Sequence, residues 1–294
     1  MSTKTKGLLL ILLSAFCFGS WGVLSRLIGP SFDIFYQTWS RTLVTSLILL
    51  PIVLYRKEMV PIHPKDRGWF FVFLVCTSFT SAPIFYSFNH MDIGTASLLF
   101  FVVQLLTMYA IGFLTFNERL NTVKIVAFFL ACFGLYFTFS FSVAVFPILA
   151  VLLAILTGLA SGGEVAFSKK LSGTYSSLYV VTLGWITLTA VNLIFSLILH
   201  ERIYLPELSM PWFWQSIYIA ISVFGFWAVV EGAKHLEASI AGLIGLVEIV
   251  VSVAFGIFVF HETLTGRITL GAILILLAAS LPHVYELAVR EKRT

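Results

Sequence analysis

A chain of 294 residues with 59% hydrophobic and only 11% charged side chains, and a mean hydropathy of +1.00, stands far from the roughly 25% charged residues of a soluble domain. A bilayer core about 30 Å thick takes about 20 apolar residues per helix, so ten spans and short loops use nearly the whole chain and leave no room for a soluble domain. The net charge of +4 comes from basic residues scattered through short loops rather than a basic, aromatic-interleaved surface, which disfavours nucleic acid as a partner and leaves membrane lipid.

In chain order, Lys4 and Lys6 precede a charge-free stretch from Gly7 to Ser25. It is longer than the apolar segment of a signal peptide and holds bulky Trp21, so it predicts a retained first helix. Charges and turn residues as punctuation predict helices over 7–27, 33–55, 67–89, 95–115, 121–140, 147–168, 176–199, 211–234, 240–260 and 266–285. The charge-free tract from Ile125 to Gly163 is too long for one span, and Ser140, Ser142 and Pro147 mark its turn. Pro83 removes one backbone hydrogen bond from the third helix and predicts a kink. Cys17, Cys76 and Cys132 all fall in apolar runs without CxxC spacing, as packing residues do.

With the N-terminus on the cytoplasmic side, 14 of the 18 Lys and Arg fall in inside segments. Arg26, Arg202 and Arg267 lie outside, and Arg41 within the second helix. This bias is the positive-inside pattern, and it predicts an inner-membrane protein with both termini cytoplasmic. A shift of 144 residues lays Thr95–Leu120, ending FNERL, over Ser239–Leu264, ending FHETL, with Gly112/Gly256 and Glu118/Glu262 among seven coincident positions of 26. Five helices per unit is an odd number, so the second unit enters the bilayer from the opposite side. The expected architecture is all-α and integral to the membrane, with ten helices in two inverted repeats, 1–143 and 144–294. Inverted repeats recur in secondary transporters, where two related bundles expose a central site alternately to each side.

Trp21-Gly22, Arg41, the FYSFNHMDIGTASLL passage, the helix endings NERL and HETL, and LVEIVVSVAFGIFVFHETL together resemble the EamA family of the drug/metabolite transporter superfamily over essentially the whole chain. The resemblance implies a ten-helix fold and a central cavity walled mainly by helices 1, 3, 4, 6, 8 and 9. It also implies transport of amino acids or other small metabolites, commonly outward. Two departures stand out: Ile249 follows Glu248 where the family often has Pro, and the first repeat has Gln104 where the second has Glu248.

Glu248 is the sharpest candidate, since a mid-membrane carboxylate needs a cavity or a partner; it reads as a proton carrier or as a hydrogen-bonded structural group. Gln104, its repeat mate, offers donors and an acceptor to a cavity or to a neighbouring helix. Arg41 suits an anionic substrate, a carboxylate partner, or snorkelling towards the interface. Glu164, beside the Gly162-Gly163 pair, suits an inner gate or an interfacial charge group with Lys169 and Lys170. Glu231 near Lys234 reads in the same two ways. Glu118 and Glu262 read as loop caps. Trp21, Tyr86, Phe101 and Trp227 lie in helices that the resemblance assigns to the cavity.

The sequence contains no Walker A loop, HExxH, GxSxG or Asp-rich metal motif. No catalytic group, metal or cofactor is expected, and the partners called for are membrane lipid and a small-molecule substrate. The oligomeric state is open, and a monomer suffices. The leading expectation is a secondary active transporter, an exporter of small metabolites such as amino acids. The alternatives are a carrier of lipid-linked, nucleotide-sugar or drug-like cargo, and a membrane enzyme acting on lipid-linked substrates.

Overall fold

A computed structural model describes residues 3–28, 31–91, 93–139, 147–261 and 264–291. The described residues are helical and contain no strand. In order they form α1 (Thr3–Gly19), α2 (Trp21–Ile28), α3 (Ile34–Tyr55), α4 (Arg67–Ser78), α5 (Ala82–His90), α6 (Ile93–Phe116), α7 (Thr122–Thr138), α8 (Ile148–Ser172), α9 (Ser177–Ile198), α10 (Met210–Ala233), α11 (Ala238–Gly245), α12 (Val247–Phe260) and α13 (Gly266–Glu291). Among the described residues nine segments are long and apolar enough to cross a bilayer. The predicted fifth span, α7, has 17 residues, about 26 Å at 1.5 Å per residue, and falls short of a full crossing over its described length. Ser140 and Ser142, and also Glu262, lie outside the described residues.

These helices are apolar on every face, so hydrophobicity does not tell their inner side from their outer. Phe16, Leu47, Phe71, Leu114, Ile148 and Phe258 are exposed, as side chains facing lipid are. Small and hydroxylated residues mark the inner faces instead: Ser14, Thr42, Thr45, Thr157, Thr182 and Thr189 are buried. In lipid, association relies on close packing and interhelical hydrogen bonds, which such residues permit. Thr189 of α9 donates to Thr42 of α3 at 2.8 Å; Ser87 of α5 donates to the Ala150 carbonyl of α8 at 2.8 Å.

The packing repeats itself under exchange of the two halves. α3 pairs with α9, and α7 with α13; α1 packs on α10 and α12, while α8 packs on α4 and α6. The helix ends carry the same symmetry. Among the described residues four non-glycine residues have positive φ, Lys57, Asn117, His200 and His261, and they pair across the repeat as Lys57 with His200 and Asn117 with His261. Each closes a helix in the left-handed C-terminal turn. Each is followed by a glutamate.

The described glutamates of this set reach across to the other repeat. Glu201 accepts the backbone N–H groups of Phe35 at 3.0 Å and Tyr36 at 2.7 Å, in the first turn of α3. Glu58 accepts from the Ser176 hydroxyl at the start of α9, and Glu118 does the same job at α11. A helix start has unpaired N–H groups and a positive dipole end, so a carboxylate there both satisfies donors and gains electrostatically. Glu201→Ala is expected to cost about 1 kcal/mol, the usual loss of a helix cap, with Glu201→Gln intermediate. Thermal unfolding in detergent measures it.

Three spans are interrupted. The first breaks at Ser20, the third between Ser78 and Ala82, next to the anticipated Pro83, and the ninth at Gly245-Leu246. The first and the ninth of these line the centre of the bundle.

Candidate functional site

The central cavity forms where the two halves meet. It encloses about 40 Å³ and is lined by Ser14, Ala15 and Phe18 of α1, Gln104 and Met108 of α6, and Glu248 of α12, among others. Glu248 sits in the first turn of α12, about 15 Å along a segment about 34 Å long from Ala238 to Phe260 at 1.5 Å per residue, so its carboxylate is near mid-span. Among the described residues no hydrogen bond or ion pair holds it, and it forms part of the cavity wall. A cavity of this size takes about three waters, well short of a metabolite.

Two close contacts adjoin it. A Cβ placed on Gly19 would lie 2.7 Å from the Glu248 carbonyl oxygen, and one on Gly162 would lie 2.6 Å from the Gln104 carbonyl oxygen. The backbones of α1 and α12, and of α8 and α6, therefore touch at the repeat-related residues 248 and 104. Glycine is required at both places because no side chain fits.

Beyond the cavity, on the side of the chain's N-terminus, lies Glu118, 7% exposed. It accepts from Lys169 Nζ at 2.7 Å, from the Ala238 N–H at 2.6 Å, and from the Ser239 N–H and hydroxyl at 3.3 and 3.0 Å. Burial pushes the Glu118 carboxyl up, but the Lys169 hydrogen bond, the two N–H groups and the Lys169 charge outweigh it and hold the group below the usual carboxylate range. One side chain thus joins the end of α6, the end of α8 and the start of α11. Beside this lock Lys124 pairs with Glu237, and Glu231 pairs with Lys6 and Lys234 and accepts from Ser177 at 2.7 Å. Glu231 is therefore part of an ion-pair group rather than a lone carboxylate.

On the other side of the cavity lies an aromatic wall. Phe18 packs on Trp21 at 4.6 Å and Phe226 at 5.2 Å between ring centroids, and Trp21 stacks on Tyr218 at 5.2 Å. Arg41 lies beyond it, 5% exposed, with its guanidinium 4.0 Å from the Tyr218 ring centre. It does not snorkel, and no carboxylate pairs with it among the described residues.

Of the residues singled out in the sequence, only Gln104 and Glu248 line the cavity. Trp21 sits one ring layer away, against Phe18. Tyr86 stacks on His90 at 3.9 Å near the end of α5, and Phe101 packs on Phe100 and Phe139. Glu164 is buried against Thr77 and Cys76 of α4. Trp227 is 37% exposed on the outside of α10; its neighbour Phe226 is the ring turned inward. Phe18 and Met108 were not singled out, because in a helix apolar on every face nothing local marks an apolar residue as cavity-lining.

No curated protein matches the sequence. A solved crystal structure, described only as that of a protein, superposes with a TM-score of 0.79 over 96% of this chain and 97% of its own, at 14% identity; this shows a common fold. Residues 5–140 and 148–281 each match the EamA-like transporter family. With both halves matched and helices fit to span a membrane, the chain belongs to the EamA-like transporter family, whose members carry small molecules across membranes.

Proposed function

We propose that the protein is a secondary active exporter of small metabolites such as amino acids, working in the inner membrane with both termini cytoplasmic. The units 1–143 and 144–294 rock about the central cavity, and Glu248 is the proton-coupling group. The observation that carries this reading is an unpartnered carboxylate at mid-span, in a cavity between the halves of an inverted repeat and next to a break in its own helix. Discontinuous helices at a repeat interface are where transporters place substrate and coupling-ion sites. The Glu118 lock and the aromatic wall stand on either side of this cavity, where helices of the two halves meet. Gln104, facing the same space from the other repeat, supplies hydrogen bonds without charge, so the ionisable half of the site comes from the second repeat.

The test is efflux from proteoliposomes loaded with radiolabelled amino acids under an imposed pH gradient. Wild type should accelerate with the gradient, and Glu248→Gln should lose that acceleration at least tenfold. A Glu248→Gln variant with unchanged gradient dependence would remove this carboxylate from the mechanism.

A further inference from the structure

We propose that the cleft between α1 and α13, at the end of the bundle that carries Glu118 and Lys169, is a binding site for the phosphate headgroup of an anionic phospholipid. Such a lipid is a resident of the fold and not the cargo, so the site stands whether or not the transport reading above holds.

A second cavity lies here, about 250 Å³ and so about six times the central one. Ile240 and Ile244 of α11 line it, with Lys4 and Leu8 of α1 and with Pro282 and His283 of α13. α1 and α13 each pack on α11 but make no comparable contact with one another, which leaves a cleft between them over α11. Lys169 near the end of α8, and Lys234 and His235 in the turn between α10 and α11, complete its lining.

The polar lining consists mainly of donors. Lys169 Nζ has three N–H groups and gives one to Glu118 at 2.7 Å. Lys234 pairs with Glu231. Neither Glu118 nor Glu231 lines the cavity, so the lysines reach it and their carboxylates do not. His235 Nε2 is buried without a hydrogen bond, with a Glu231 oxygen 3.6 Å away. The His283 ring has no hydrogen bond or ion pair among the described residues. Glu237 also lines the cavity, and Lys124 takes its charge. Phosphate oxygens accept and do not donate, so ammonium and imidazole N–H groups suit them, and a buried nitrogen without a partner calls for one. Basic pockets between membrane helices near the interface bind anionic headgroups in this way.

The apolar walls favour a lipid over a soluble phosphate. Leu8, Leu236, Ile240 and Ile244 share the cavity with the basic groups, and a free phosphate has nothing to set against them. The cleft also continues onto surface fit for acyl chains. Leu276 lies on the His283 face of α13, at i, i+7, two turns towards the bilayer centre, and is 45% exposed. Leu9, next to Leu8 on α1, is 50% exposed. A bound headgroup would therefore tie α1 of the first half to α8, α11 and α13 of the second.

The experiment titrates purified full-length protein in detergent with dioctanoyl phosphatidylglycerol, dioctanoyl phosphatidylcholine and glycerol 3-phosphate. The thermal unfolding midpoint is followed, because a ligand of the folded state raises it. The two lipids share their chains and differ in net charge, and glycerol 3-phosphate carries the phosphate without chains. Phosphatidylglycerol should bind at least tenfold tighter than either of the others. His283→Glu, which sets a carboxylate in the cleft, should abolish the preference between the lipids. His283→Gln should weaken phosphatidylglycerol several-fold and leave phosphatidylcholine unchanged, and this arm decides the matter where His283→Glu does not fold. Lys65 is exposed at the same end of the bundle, beside Asp66, which accepts from Tyr175 in the turn after α8 at 2.9 Å; Lys65→Glu, outside the cleft, should keep the preference. Equal binding of the two lipids to wild type, a preference that survives His283→Glu, or one lost equally in Lys65→Glu would overturn the proposal. Glycerol 3-phosphate binding as tightly as phosphatidylglycerol would overturn it too, in favour of a soluble phosphate. Glu248→Gln separates this site from the transport reading, because a variant that loses gradient-driven efflux should keep its lipid preference.

Discussion

Glu118→Ala is expected to lower stability by about 3 kcal/mol, the scale seen when one partner of a buried ion pair is removed. The loss has two parts. Lys169 Nζ keeps its charge but loses its carboxylate at 2.7 Å, and the Ala238 and Ser239 N–H groups at the start of α11 lose their acceptor. Glu118→Gln retains an acceptor oxygen and should recover part of the cap but not the ion pair. Adding Lys169→Met to Glu118→Gln should cost less than the sum of the two single changes, because the double variant leaves no orphan charge.

The pH dependence has a definite sign. The folded-state carboxyl is held below its ordinary value, so its contribution is complete above the ordinary glutamate value of about 4.3 and fades as pH falls through the folded one. Wild type and Glu118→Gln should therefore converge in acid and diverge towards neutrality. Thermal unfolding in detergent over a pH series measures this. A gap that stayed constant across the series would mean that Glu118 acts through packing alone.

Helix number, approximate boundaries and the inverted repeat were legible in the sequence, because span length, basic loops and the 144-residue offset are one-dimensional signals. The conserved geometry of the helix ends was half legible. The NERL and HETL endings stood out, but Lys57-Glu58 and His200-Glu201 did not. Glycine is the usual residue of such a turn, and neither Lys57 nor His200 marks one in the sequence, so only the structure shows that they mirror each other. The reach of Glu201 to α3 and of Glu118 to α11 was hidden for a different reason: a capping glutamate is normally sought next to the helix it caps, and these lie 165 and 120 residues away in the chain.

The cavity was the least legible part. Glu248 and Gln104 were found because a polar side chain in a long apolar run is conspicuous. Trp227 was not separable from Phe226, because both belong to an apolar helix and only packing decides which of two successive residues turns inward. Arg41 illustrates the same limit. Snorkelling and burial fit its position equally well in sequence, and burial follows from Tyr218 of another helix lying under the guanidinium.

Gly162→Ala and Gly19→Ala are expected to act alike, although they lie in different halves of the chain. At each site the new Cβ meets a backbone carbonyl, of Gln104 at 2.6 Å or Glu248 at 2.7 Å, and a backbone atom cannot swing away as a side-chain tip can. The helices must separate, and overpacking of this kind typically costs about 1–3 kcal/mol. Part of that is offset, since alanine is better than glycine in a helix by about 1 kcal/mol. Gly68 in α4 isolates the second effect, because nothing lies within 4 Å of its added Cβ; Gly68→Ala should be neutral or stabilising. The functional consequence should exceed the stability loss. These contacts hold residues 104 and 248 in place and lie between helices of the two halves, so under the alternating-access mechanism proposed above efflux should fall at least tenfold in both variants while Gly68→Ala keeps wild-type rates. Stabilisation of Gly162→Ala to the level of Gly68→Ala, with efflux retained, would show that this contact is neither tight nor part of the moving interface.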